Sequence, residues 1–313
     1  MITRIFIALA LTFTLSAQDE PQQGAGGGGG GRGGGGGAAL GNPNPQPYER
    51  VITKDAKTKN GLFTVHQVGE RFYYEIPKAQ LGAQFLWNTQ IAKTTVGVGY
   101  GGGQVANRVV SWEMRNNRVY LRDINFSVTA NPDSPIAEAV KDSNNATIIM
   151  AFNVAAYHDG DPVIEVTRLF NTDVPEMSAR QELGATAFDA SRSFVDHIAT
   201  YPENIEAEAT VTYTRTGNGN AAAGGGRGGG GLGGGTMRGN SATIVLHHSM
   251  VQLPEKPMMP RLFDERVGYF TTAQMDYSAD DYRGRTTRYI ARWRLEKKDP
   301  NAALSDPVKP IVY

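Results

Sequence analysis

Apolar and polar residues alternate along most of this chain, with the period of two that marks strands whose two faces meet different surroundings. The clearest run puts Ile205, Ala207, Ala209, Val211 and Tyr213 on one side and Glu206, Glu208, Thr210, Thr212 and Thr214 on the other. Ser241 to Val251 is the hairpin partner it predicts. A second hairpin runs from Arg108 to Arg122, where Val110, Trp112 and Met114 face away from Ser111, Glu113 and Arg115. Asn116-Asn117 is its turn, because asparagine tolerates a positive φ. A third spans Ala146 to Phe170 and turns at His158-Asp159-Gly160-Asp161-Pro162. Leu62 to Val65 and Arg71 to Ile76 read as short strands about a turn at Gly69, with further strands at Gln84 to Ala92 and Thr286 to Leu295. In the last of these, Tyr289, Ala291, Trp293 and Leu295 share one face, and Arg288, Arg292 and Arg294 the other. Helical signals are few. Pro77 opens a turn that Gly82 closes, and Asp173 with Glu176 has the spacing of a capping box for a short helix ending before Gly184. The pattern predicts a mainly β fold, all-β or β-dominant α+β, of antiparallel sheets and hairpins with a few short helices.

Two tracts break the pattern. Gly24 to Gly41 is almost pure glycine and leads into NPNPQP; GNGNAAAGGGRGGGGLGGGTMRGN occupies 217–240. Neither holds enough apolar surface to repay the entropy of ordering. The first is expected to be a disordered tether and the second an expanded hairpin loop, since loop closure costs only about 0.6 kcal/mol per doubling of length. Neither contains a phosphate-binding or dinucleotide-binding glycine pattern in the right context. Ahead of them, MITRIFIALALTFTLSAQDE has Arg4, an apolar run from Ile5 to Leu15 and then Ser16-Ala17. That is the layout of a signal peptide, too short to span a bilayer. The expectation is an exported protein, periplasmic or secreted, with no membrane span after signal removal. Its parts are a signal at 1–17, a linker at 18–47, a small module at 48–82, an antiparallel β domain at 83–297 carrying the 217–240 insertion, and a linker at 298–313.

Composition narrows the chemistry. The 313 residues carry 31 basic and 31 acidic side chains, so the formal net charge is +0 and no nucleic-acid partner is expected. Cysteine is absent, which removes disulfides, thiolate catalysis and Cys-ligated zinc. The five histidines, His66, His158, His197, His247 and His248, include no pair four apart, so there is no H-E-x-x-H zinc helix. His247 and His248 adjoin on a strand and point to opposite faces, one to the surface and one, in register with Ile244, Leu246 and Met250, to the core. Asp159-Gly160-Asp161 reads as a turn, lacking the acidic positions of a calcium loop. Ser191 and Ser193 lie near His197 without a nucleophile elbow. The residues assign no catalytic group, metal ligand or cofactor.

One stretch fits neither strand nor helix: LPEKPMMPRLFDERVGYF. Pro254, Pro257 and Pro260 recur every three residues, along one face of a polyproline II rod, with Met258, Met259 and Leu262 free to fill irregular apolar contacts. Together with Arg288, Arg292 and Arg294 they form the candidate docking surface. The order RSFVDHIATYPENIEAEATVTY, TIVLHHSMVQLPEKPMMPRLFDERVGYFTT, RYIARWRLEKKDPNAALSDPVKPIVY resembles the N-terminal, non-catalytic region of large exported zinc-dependent metallopeptidases of metzincin type. The similarity runs from about Tyr48 to Tyr313, glycine tracts excluded. In that family the zinc helix follows the stretch similar to VKPIVY. The resemblance therefore implies zinc only in full-length relatives, places no ligand on this sequence, and makes 298–313 a linker toward a catalytic domain expected to be absent here. It implies an accessory scaffold with that catalytic domain as its partner in cis. The alternative expectation is a free-standing envelope module that binds peptide or glycan.

Overall fold

Backbone hydrogen bonds gather the alternating segments into one large sheet. In the computed structural model, residues 44–96, 98–214, 240–278 and 284–311 are described. The expected signal peptide, nearly all of the first linker and nearly all of the glycine insertion lie outside them.

In chain order the strands are β1 (Lys57–Lys59), β2 (Thr64–Val68), β3 (Arg71–Glu75), β4 (Gln84–Lys93), β5 (Gln104–Arg115), β6 (Arg118–Ile124), β7 (Val128–Thr129), β8 (Thr147–His158), β9 (Asp161–Glu165), β10 (Ala187–Thr200), β11 (Asn204–Thr214), β12 (Ser241–Gln252), β13 (Thr271–Asp276) and β14 (Arg285–Ile290). Eleven of them form a sheet in the order β1-β2-β3-β9-β8-β6-β5-β4-β12-β11-β10. Every neighbouring pair in it is antiparallel. β14, β13 and β7 make a second, three-stranded sheet, whose β13–β7 pair is parallel. Among the described residues four short helices accompany them: α1 (Tyr48–Val51), α2 (Ala137–Ser143), α3 (Thr167–Asn171) and α4 (Arg180–Leu183). The mainly β expectation is met.

The large sheet curls until its ends nearly meet as a barrel. At the seam Leu62 N–H donates to the Tyr201 carbonyl at 2.6 Å, and Thr200 Oγ1 donates to the Phe63 carbonyl at 2.9 Å. Gly61 allows this approach: a Cβ there would stand 2.3 Å from Thr200 Oγ1 and 2.8 Å from the Tyr201 nitrogen. Gly61→Ala is therefore expected to wedge the seam apart and cost about 1–3 kcal/mol, read as a lower urea midpoint. An unchanged midpoint would show that the seam contributes nothing to stability.

The enclosed face is aromatic. Phe63, Tyr74, Phe85, Trp87, Trp112 and Phe170 are all fully buried, and the Phe63 ring stands edge-on to Tyr74, Phe85 and Trp112 at 5.7–6.2 Å. The best alternation in the sequence lands where it should: Ile205, Ala207, Ala209, Val211 and Tyr213 are all buried, and β11 pairs with β12 without a slip, Val211 opposite Ile244. The predicted turns are also present, with positive φ at Gly69, Gly82, Asn116, Asp159 and Gly160. Residues 48–82 supply β1 to β3, and β3 joins the rest through β9, with Tyr74 opposite Ile164.

Local departures have local causes. β10, fourteen residues long, was not expected. Register shifts between Asp189 and Phe194 and between Val195 and His197 break its alternation, as bulges do. The third hairpin ends at Glu165, and its last predicted residues instead form α3, which buries Leu169 and Phe170. Asp173 does not cap a helix. Its carboxylate accepts from the Tyr213 hydroxyl at 3.1 Å and pairs with Arg180, leaving a 3-10 turn at Pro175–Met177 and a four-residue α4. The strand expected from Thr286 to Leu295 stops at Ile290. Arg292 and Arg294 thus sit on irregular chain, not on one strand face with Arg288.

Candidate docking surface

The segment after β12 differs from everything before it. From Val251 onward no described residue is buried, although the segment is rich in large apolar side chains. Phe270 is 91% exposed, Met259 82%, Trp293 68% and Leu304 92%, with Leu262, Tyr269, Leu295 and Val308 also open. Scattered exposed apolar residues are ordinary; here they follow one another along a single stretch of chain with no buried described residue between them.

Its backbone is tied down nonetheless. Phe263 N–H donates to the Arg288 carbonyl at 2.9 Å and Ile290 N–H to the Arg261 carbonyl at 3.0 Å, and Leu262 bridges Tyr289 in antiparallel sense. The proline-rich stretch therefore runs beside β14 as an irregular neighbour. It bends at Glu255–Lys256, so Pro254, Pro257 and Pro260 do not lie along one straight rod. Of the apolar residues placed in the docking set, Met259 and Leu262 project into solvent and Met258 is half-buried. The three arginines have separate tasks. The Arg288 guanidinium lies 4.2 Å from the centre of the Phe263 ring, Arg292 donates to the Met259 carbonyl at 2.6 Å, and Arg294 pairs with Glu296 at 2.6 Å. Arg292 thus joins two parts of the predicted set through the backbone. Phe270 was missed by sequence reading because it has no alternating neighbours. Its carbonyl accepts from Ala291 N–H at 2.7 Å, which brings it beside the chain that carries Trp293.

Elsewhere the polar groups serve the fold. His248 is buried, and its Nδ1 accepts from Thr89 Oγ1 at 2.9 Å and Trp87 Nε1 at 3.4 Å. Burial pulls its pKa down to about 3, with the neighbouring His247 adding to the shift. Its Nε2 has no hydrogen-bond partner among the described residues. His247 lies on the outer face with Nε2 2.9 Å from Glu206 Oε2, as its strand parity requires. His197 Nδ1 is 3.9 Å from Glu208 Oε2. Ser193 Oγ donates to the Asp189 carbonyl and Ser191 Oγ to the Asp189 carboxylate, so neither serine meets His197. Among the described residues no group of three or more His, Asp and Glu is arranged to hold a metal ion, and no helix is long and apolar enough to cross a membrane. At the open end of the seam the β2–β3 turn, α3 and the β10 bulge bound a cleft of about 630 Å³, lined by Glu70, Arg71, Thr167, Asn171 and Phe194 among others.

A family model described as a domain of unknown function, DUF5117, matches residues 102–298. A second, DUF5118, also described as a domain of unknown function, matches residues 45–94. No curated protein matches the chain, and no solved structure does.

Proposed function

We propose that this chain, which belongs to the DUF5117 family, is a non-catalytic accessory module of an exported zinc-dependent metallopeptidase, and that the segment after β12 docks onto the catalytic domain. The observation that carries this reading is the absence of any buried described residue beyond Met250 beside an exposed set of Met259, Leu262, Phe270, Trp293 and Leu304. Such a segment keeps its backbone paired and leaves its side chains to a second surface. Aromatic residues dominate the energetics of such contacts, which makes Phe270 and Trp293 the anchors. The resemblance of the sequence to the region preceding the zinc helix in metallopeptidases supplies the identity of the partner. Export to the periplasm or beyond belongs to the same proposal.

The test uses the H-E-x-x-H domain of a full-length relative, expressed separately and titrated with this chain. Phe270→Asp combined with Trp293→Asp is expected to weaken binding at least about tenfold while shifting the stability of the module by less than about 0.5 kcal/mol. Wild-type protein that fails to bind the domain rejects the reading. The cleft at the seam favours one rival, a free-standing module for extended peptide or glycan. Binding of such a ligand that is lost on changing Asn171, with no binding to the peptidase domain, would favour it.

A further inference from the structure

Where β2, β3 and the β8–β9 turn meet, one carboxylate serves three rings. Glu75 Oε2 lies 3.1 Å from His66 Nε2, and Glu75 Oε1 lies 2.9 Å from His158 Nδ1. Thr58 Oγ1, 2.8 Å from His66 Nδ1, holds the far side of the buried ring. Tyr48, on α1, stacks on His158 with ring centres 4.2 Å apart and planes 13° from parallel, and stands edge-on to His66 at 6.1 Å. Burial and the adjacent Glu75 carboxylate raise the Tyr48 pKa, so its phenol stays neutral.

Tyr48 belongs to a strap at 44–52 that has few other attachments. α1 is four residues long and has no side-chain cap, too short to persist alone. Gln46 N–H donates to the Ala155 carbonyl at 2.7 Å, and Ile52 packs with Tyr73, Ala156 and Val163. Lifting the strap would uncover that small apolar cluster and the backbone edge at Ala155.

We propose that Glu75, gripped by His66 and His158 and roofed by Tyr48, is a pH-sensitive latch that holds the 44–52 strap on the sheet under mildly acidic conditions and loosens it as the pH rises. Roofing the site takes a carboxylate out of water, which is unfavourable unless its charge is matched. Two neutral imidazoles provide donors but no countercharge. A protonated His158 provides both, and its ring then presents a cation to the face of Tyr48. The hydrogen bond to Glu75, then the Glu75 charge, with Asp159 and Asp161 adding, raise the His158 pKa against an opposing desolvation. Glu75 and His158 both stay on the sheet when the strap lifts, so the coupling is what the strap adds: the Tyr48 ring over His158 and the withdrawal of Glu75 from water beside its countercharge. Both favour the protonated ring, so the closed state is supported while His158 holds its proton and loses that support as the pH climbs through its raised pKa. The other charges facing the site are Glu49 on α1 and Lys78, whose ammonium lies against Gly160.

His158 is 44% exposed at its side chain, so solvent screening holds the effect to several-fold. Amide hydrogen exchange at Gln46 and Ile52, corrected for the intrinsic pH dependence of exchange, reads the opening directly. Opening is expected to increase about threefold to tenfold between pH 6 and pH 8, with β11 amides showing no such trend. His158→Gln keeps a donor for Glu75 and removes the charge, and is expected to flatten the profile without unfolding the protein. A flat profile in the wild type, or an undiminished slope in His158→Gln, overturns the latch.

Discussion

Trp112→Ala is expected to destabilise the barrel by about 3–5 kcal/mol, more than any other substitution considered for this protein and a large share of the stability of an ordinary domain. Trp112 is fully buried toward the C-terminal end of β5. Its ring meets Phe63 at 6.2 Å, Tyr74 at 6.1 Å and Phe152 at 5.6 Å. These neighbours come from the loop before β2, from β3 and from β8, so one side chain ties together segments far apart in the sheet. Its Nε1 donates to Met250 Sδ at 3.3 Å, a weak bond whose loss adds to the cavity. Alanine leaves the surrounding rings, each fixed on a strand, unable to close the gap. Trp112→Phe keeps most of the volume and is expected to lose about half as much. Urea denaturation of the two variants checks both figures, and a loss under about 1 kcal/mol for the alanine variant would mean that the aromatic cluster is not the centre of stability.

Acid is expected to weaken the fold through His248, by about 2–3 kcal/mol between pH 7 and pH 4.5. The sign follows from its depressed pKa of about 3 in the folded protein. Between that value and ~6.5 the unfolded chain binds a proton that the folded chain refuses, so stability falls as the pH falls. Carboxylates add their own pH dependence, and the comparison that isolates the histidine is with His248→Leu. The leucine variant loses the hydrogen bonds from Thr89 and Trp87 and is expected to be the weaker protein at pH 7. Its stability should decline less steeply with acid, so the two curves approach or cross by pH 4.5. Parallel curves would place the histidine in contact with water. The latch at His158 responds in the opposite direction over part of the same range, because the closed strap favours the protonated ring beside Glu75 and under Tyr48. Mild acid would close the strap while undermining the core.

Much of the fold could be read from residue order because its strands are amphipathic. β11 shows this best: every second residue is small or apolar, the intervening ones are Glu or Thr, and the register with β12 follows from where that pattern must meet another apolar face. The turns at Gly69, Asn116 and Asp159-Gly160 were equally legible, since few residues accept positive φ. β10 was not, because its bulges shift the side chains out of alternation. The docking set was legible in part. The proline spacing drew attention to Met259 and Leu262, whereas Phe270 became visible only through its exposure and its backbone contact with Ala291.

What the sequence determined by itself is local: which faces are apolar, where the chain can reverse, that no thiol is present, and that His247 and His248 must part to opposite sides of a strand. Only the tertiary structure decided that the two ends of the sheet approach each other at Gly61, and that Glu75 sits between one histidine nine residues before it and another 83 residues after it. It also decided that the described residues after Met250 include none that is buried. The physical reason is range. Alternation and turn chemistry act over a few residues, whereas closure, shared carboxylates and exposure depend on which distant strands come together, and many pairings are compatible with the same local pattern.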